Sequence, residues 1–125
     1  MIVGIGLDLV GVERIRAVHQ RQGQRFLDRV YTAGEQAYCL AFRDPSERLA
    51  ARWAAKEACM KALGTGWALG VGFKDIAVVS LEGEGPRLEL GGAALARAQL
   101  LGATRRHVSL SHSDGMAVAM VILES

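Results

Sequence analysis

The chain contains no apolar run of the ~18–20 residues that a membrane-spanning helix needs, although half of its 125 residues are hydrophobic. That excludes a spanning helix and still leaves enough apolar side chain to bury a core. The start, Met1-Ile2-Val3-Gly4-Ile5-Gly6, has neither the basic residues nor the small-residue cleavage site of a signal peptide, so the sequence reads as soluble and cytoplasmic. Cysteine is scarce. Cys39 and Cys59 lie in apolar, helix-like contexts without metal-ligand spacing, which predicts buried free thiols in a reducing compartment. Excess charge of either sign is slight, +2 with a pI near 8.8, too little to argue for nucleic acid. No repeat, low-complexity segment or linker divides the chain, and its length predicts one domain over residues 1–125.

What is present is a pattern of α+β elements. Ile2 to Leu9 reads as a strand with Val3, Ile5, Leu7 and Leu9 on one face and Gly4, Gly6 and Asp8 on the other. A helix follows from about Val12 to Gln22, broken by Gly23. Thr32-Ala33-Gly34-Glu35 fits a capping box that opens a helix to about Phe42. Asp44-Pro45-Ser46-Glu47 starts another, which runs to Leu63 and ends on Gly64. Thr65 to Gly72 reads as loop, and Phe73 to Glu82 as a strand that Gly83-Glu84-Gly85 turns back into Pro86 to Leu90. Ala93 to Leu101 is helix. His107 to Ser111 and Met116 to Leu123 form a hairpin around Ser113-Asp114-Gly115. The last strand is apolar on both faces, which predicts burial by a neighbouring subunit as well as by the chain's own helices. The architecture expected is a mostly antiparallel sheet packed against helices.

Two segments carry chemistry. Asp8 is a carboxylate in a strand that otherwise reads as core, where an unpaired charge is costly. Gly4 and Gly6 beside it leave room for a ligand or a close backbone; the alternative is an aspartate capping the next turn. In Trp53-Ala54-Ala55-Lys56-Glu57-Ala58-Cys59-Met60-Lys61, Glu57 and Lys61 share a helix face with Trp53 and Gly64, so charge lies where an amphipathic helix places its apolar stripe. An exposed Glu–Lys pair is the competing account. Magnesium takes oxygen ligands, commonly one or two carboxylates completed by water and substrate phosphates. Asp8 and Glu57 could supply such a pair, with Lys61 reaching a phosphate oxygen and Gly64-Thr65-Gly66 offering backbone amides. The lysine precedes the glycines, so this is no Walker loop. From Gly11 to Tyr31, five arginines face only Glu13 and Asp28: either a solvated surface or a site for an acidic partner. His107 and His112 lack a third ligand for zinc, and Ser109 and Ser111 lack a nucleophile elbow.

Taken together, Gly4-Ile5-Gly6-Leu7-Asp8 and the stretch from Arg52 to Gly66 (RWAAKEACMKALGTG) resemble the two motifs of the 4′-phosphopantetheinyl transferase superfamily, in particular its short holo-acyl-carrier-protein synthase branch. The likeness covers essentially the whole chain, including His107-Val108-Ser109-Leu110-Ser111-His112-Ser113. It implies Mg²⁺-dependent attack by a carrier serine on the β-phosphate of coenzyme A, giving holo carrier and adenosine 3′,5′-bisphosphate. It implies that Asp8 and Glu57 are the metal ligands and that Lys61 contacts the phosphates, with the serine's base left open between Glu57 and a metal-bound water. Longer relatives have a third acidic ligand two residues after the aspartate; here that position is Val10. The resemblance further places Arg52, Lys61, Gly64, Thr65, Pro86, His107 and Ser109 at coenzyme A. It places Arg14, Arg21 and Arg25 against the acidic helix of an apo acyl carrier protein. A homotrimer with sites between subunits is implied as well. The rivals are a non-catalytic coenzyme A-binding module, a hydrolase that releases phosphopantetheine to water, and a nucleic-acid binder whose affinity collapses with salt.

Overall fold

The computed structural model describes residues 1–125. In chain order the elements are β1 (Ile2–Gly11), α1 (Val12–Gln22), α2 (Gln24–Val30), α3 (Ala33–Leu40), α4 (Ser46–Leu63), a 3-10 turn (Phe73–Asp75), β2 (Ile76–Val79), β3 (Arg87–Leu90), α5 (Gly92–Leu100), β4 (Arg105–Ser113) and β5 (Met116–Glu124). The fold is α+β. Its main sheet is antiparallel in the order β1-β5-β4, and β2 and β3 make a separate antiparallel pair. None of the helices is long and apolar enough to cross a membrane.

Helix α4 is the axis of the molecule, and the sequence explains why it fits against the sheet. Ala50, Ala51, Ala54, Ala55, Ala58 and Ala62 are buried along it, so its backbone can approach neighbours closely. Gly4 and Gly6 present no side chain to it. A methyl built on Gly6 would collide with the Ala58 carbonyl oxygen and stand 2.9 Å from the Ala62 amide nitrogen; one on Gly4 would collide with the Ala62 carbonyl. The glycine face of β1 is therefore the inner face. Ala117, Ala119, Val121 and Leu123 of β5 are buried on the same side.

The opposite face is apolar and uncovered. Ile5, Leu7 and Leu9 pair across the register with Ile122, Met120 and Val118, and Leu7 is 55 % exposed. The strand's alternation thus holds, but its larger side chains point away from this chain's core.

Local signals account for the helix ends. The Asp44 carboxylate accepts the Ser46 amide at 3.1 Å, and Gly64 ends α4 in the left-handed region at φ +74°. At the β4–β5 turn, Asp114 and Gly115 both have positive φ, the two-residue geometry that matches strand twist. The Gly115 carbonyl then accepts the Val12 amide at 2.8 Å, tying the hairpin to the start of α1.

Two segments depart from the sequence reading. Helix α2 was not expected; Phe26, Leu27 and Val30 bury one face of this single short piece after Gly23. The strand expected over Phe73 to Glu82 is shorter, with Ile76–Val79 alone in β2. Two groups fold its first residues into a turn: the Asp75 carboxylate accepts the Gly72 amide at 3.0 Å, and the Lys56 ammonium donates to the carbonyls of Phe73 and Ile76.

Lys56 is fully buried, as is its counter-ion Glu35, with Nζ and Oε1 2.7 Å apart. Burial lowers the lysine's proton affinity and the glutamate opposes that shift. Glu35 also closes the α3 capping box, accepting the Thr32 amide at 2.9 Å while the Thr32 hydroxyl accepts its own amide at 3.2 Å. Its other oxygen takes the Val78 amide at 3.0 Å. Every donor of the ammonium is used, which is what makes a buried charge tolerable.

Candidate functional site

Asp8 stands on the inner face of β1, and the α4 stripe that carries Glu57 and Lys61 passes beside it. The Lys61 ammonium donates to Asp8 Oδ1 at 3.1 Å and to the Leu7 carbonyl at 2.8 Å. That carbonyl is available because β1 is an edge strand. The lysine is 52 % exposed and the aspartate 17 %, so the pair is worth about 1 kcal/mol or less and yields to a stronger ligand.

Glu57 is half-buried, and its carboxyl is held above the ordinary value, chiefly by desolvation. Asp8's negative charge adds to that rise, while the Trp67 hydrogen bond, Lys61 and Arg14 oppose it. The Trp67 indole N–H donates to Glu57 Oε2 at 3.3 Å. Two carboxylates that feel each other's charge attract a cation.

No group of three or more His, Cys, Asp or Glu side chains forms anywhere in the chain. Asp8 and Glu57 could therefore hold a metal only as a two-carboxylate, all-oxygen pair. That donor set suits a hard cation such as Mg²⁺, whose remaining positions go to water and substrate phosphates. It does not suit zinc, which seeks nitrogen and sulfur.

Beside this pair opens a groove of about 390 Å³. Its floor is aromatic: Phe26, Trp53, Trp67 and Phe73. Trp53 stacks on Phe73 with centroids 4.8 Å apart, and Trp67 meets Phe73 edge-on at 5.8 Å. Arg14, Arg21 and Arg29 form its rim. Of the arginines singled out from the sequence, Arg14 and Arg21 are here. Arg25 lies exposed on α2 and is absent from the lining, while Arg29, one of the same five arginines but not among those the resemblance places at the carrier, is present.

The other sequence-derived residues fall elsewhere. Arg52 is buried on another side of α4, where its guanidinium donates to the Ser80 hydroxyl at 2.8 Å and lies over the Tyr38 ring. Its Nε has no partner. Gly64 and Thr65 follow Lys61 at the end of α4, and the Thr65 hydroxyl is turned inward to the Gly66 carbonyl at 3.0 Å. Pro86 lies just before β3. His107 and Ser109 project from the outer face of the sheet, His107 against Glu124 at 3.0 Å. Of these residues Gly64 meets Lys61, its amide donating to the Lys61 carbonyl at 3.0 Å, while Arg52 is turned to Ser80 and His107 to Glu124.

Sequence reasoning missed the groove, because it is assembled from α1, α2, α4 and the segment after it. The available signals were the arginines of the Gly11–Tyr31 stretch and Trp53 on the charged stripe of α4.

The chain resembles known proteins over its full length. A family model of the 4′-phosphopantetheinyl transferase superfamily matches residues 4–121. A holo-[acyl-carrier-protein] synthase of Koribacter versatilis is 49 % identical over 124 residues, 99 % of either chain. One of Gloeobacter violaceus is 51 % identical over 118 residues, 94 % of this chain and 89 % of the relative. Among solved structures, the holo-[acyl-carrier-protein] synthase of Neisseria meningitidis superposes with a TM-score of 0.90 at 34 % identity, covering 100 % of both chains. That of Helicobacter pylori, in complex with coenzyme A, gives 0.84 at 30 % identity, covering 96 % of this chain and 99 % of the other.

Proposed function

This chain belongs to the 4′-phosphopantetheinyl transferase superfamily, and from that premise we propose that it moves the phosphopantetheine arm of coenzyme A onto a serine of an apo acyl carrier protein. In this reading Mg²⁺ is the metal and adenosine 3′,5′-bisphosphate the second product. The observation that carries it is the pairing of Asp8 and Glu57, with Lys61 alongside, at the edge of an arginine-rimmed groove.

Each group has a physical task. Asp8 and Glu57 would hold the cation, whose charge would offset that of the pyrophosphate and of the leaving group. Lys61 exchanges Asp8 and the Leu7 carbonyl for a phosphate oxygen. The aromatic floor takes apolar side chains of a carrier helix while Arg14 and Arg21 meet its acidic ones, with Arg25 further out. Residues 1–125 act as one domain, and the two buried free cysteines fit a reducing cytoplasm.

The test is intact-mass analysis of an apo carrier incubated with the protein, coenzyme A and Mg²⁺. A gain of one phosphopantetheine, absent with EDTA, is expected. Loss of coenzyme A with an unmodified carrier would overturn the proposal in favour of hydrolysis. Arg14→Glu should raise KM for the carrier at least about tenfold with KM for coenzyme A little changed, since rim charges govern encounter with a charged partner. Equal effects on both substrates would remove Arg14 from the docking role.

The uncovered face of the main sheet is proposed to close a homotrimer. Ile5, Leu7, Leu9, Val118, Met120 and Ile122 form a contiguous apolar surface of the kind that marks an interface. His107 and Ser109 lie on this same face, so a neighbouring copy would bring them to the coenzyme A bound at Asp8, Glu57 and Lys61. Pro86 and the buried Arg52 complete the proposed nucleotide contacts. Light scattering should report three times the 13.4 kDa chain mass, and Met120→Glu should yield monomers. A wild-type monomer at micromolar concentration would rule the trimer out.

A further inference from the structure

Trp67 takes part in two sites at once. Its ring is a wall of the groove, edge-on to Phe73. Its N–H is the hydrogen-bond donor on Glu57 Oε2. The residue is 67 % exposed, yet the segment that carries it is tied to its neighbours. The amides of Thr65 and Gly66 donate to the Met60 carbonyl, and that of Ala68 donates to the Thr65 carbonyl at 2.9 Å. Phe73, against which the indole leans, is stacked on Trp53, and its carbonyl is held by the buried Lys56 at 3.0 Å.

We infer that Trp67 is a positioning residue that couples occupancy of the groove to the Glu57 carboxylate, so that the carrier and Mg²⁺ each strengthen the other's binding. The inference rests on the transferase reading above. With one oxygen engaged by the indole, the carboxylate loses rotational freedom and keeps its other oxygen for the cation. A partner filling the groove covers the indole and removes water from the N–H···O contact, and such a bond strengthens as the local dielectric falls. The same bond therefore answers to both ligands. By linkage, the factor by which the carrier tightens Mg²⁺ binding equals the factor by which Mg²⁺ tightens carrier binding.

Trp67→Phe keeps an aromatic wall and removes only the N–H. Calorimetry would measure binding of an apo carrier whose acceptor serine is alanine, with coenzyme A in every arm and with or without Mg²⁺. For the wild type, Mg²⁺ should lower the carrier Kd about fivefold or more, the usual floor for a real coupling. For Trp67→Phe the ratio of the Kd values without and with Mg²⁺ should fall below about twofold, whatever the variant's Kd in the absence of the metal.

A second readout needs no carrier. Trp53 and Trp67 are the chain's two tryptophans. Titration of Mg²⁺ into the coenzyme A complex should change the emission of the wild type and leave that of Trp67→Phe unchanged. An equal Mg²⁺ effect on the Kd of both proteins, or none on the wild type, overturns the coupling while leaving transfer to the carrier intact. Failure of the carrier to bind in any arm, with the wild-type emission still responding, overturns the carrier reading and the coupling with it.

Discussion

Replacing Glu57 with glutamine should reduce transfer about a thousandfold or more, the scale of losing a principal charge-stabilising group at a phosphoryl centre, without weakening the fold. Glutamine has the same size, and its carbonyl oxygen still accepts the Trp67 indole. What disappears is the charge, leaving Asp8 as the sole carboxylate of the pair.

The stability side of this prediction has a definite sign. The Glu57 carboxyl is raised, mainly by desolvation, so in the metal-free protein its ionisation is harder in the folded state than in the unfolded one. Above the unfolded pKa the unfolded state releases the proton more readily, and folding is weakened. The neutral amide removes that penalty. At pH 7 without metal, Glu57→Gln should melt no lower than the wild type, and below about pH 4, near the ordinary glutamate value, any gain should vanish. Mass analysis of the carrier and thermal unfolding would read the two effects separately. Full transfer by this variant at low Mg²⁺ would remove Glu57 from the metal site.

The second large effect belongs to Gly6. The atoms that an added methyl would strike are backbone atoms of α4, the Ala58 carbonyl and the Ala62 amide, and these cannot rotate aside. Overpacking a core costs about 1–3 kcal/mol when side chains can yield, and more when they cannot. Gly6→Ala should therefore lose about 3 kcal/mol or more in urea unfolding. It should also lose most transfer, because it pushes the strand bearing Asp8 away from the helix bearing Glu57 and Lys61. Gly11→Ala is the control: nothing lies within 4 Å of its added methyl and its φ of −73° suits any residue, so it should stay within about 0.5 kcal/mol. Equal stability of the two variants would refute the close-approach account.

These two positions also show what could be read before folding. Asp8, Glu57 and Lys61 were legible because strand alternation and helical spacing each fix a face, and the structure brings these faces together. The ends of α4, the α3 capping box and the β4–β5 turn were legible because a few adjacent residues determine them. The orientation of β1 was not: alternation separates Ile5, Leu7 and Leu9 from Gly4, Gly6 and Asp8, but only the alanines of α4 decide that the glycines face inward. The groove was illegible for the same reason, since its walls come from four segments. Lys56 carried no sign of burial either. It sits next to Glu57 in the chain, and its partner Glu35 reads locally as a capping residue.

That double use of Glu35 orders the assembly of the molecule. Its bond to Thr32 spans 3 residues, its bond to Lys56 21, and its bond to Val78 43. The first needs only a nascent turn, and the carboxylate stays hydrated while it forms. The other two wait for distant chain to arrive, and loop closure is the slow part of such encounters. Dehydration of the charge is thus deferred until its distant donors are in place. The start of α3, the middle of α4 and β2 then consolidate in a single step, so amides in these three elements should resist hydrogen exchange as one cooperative unit.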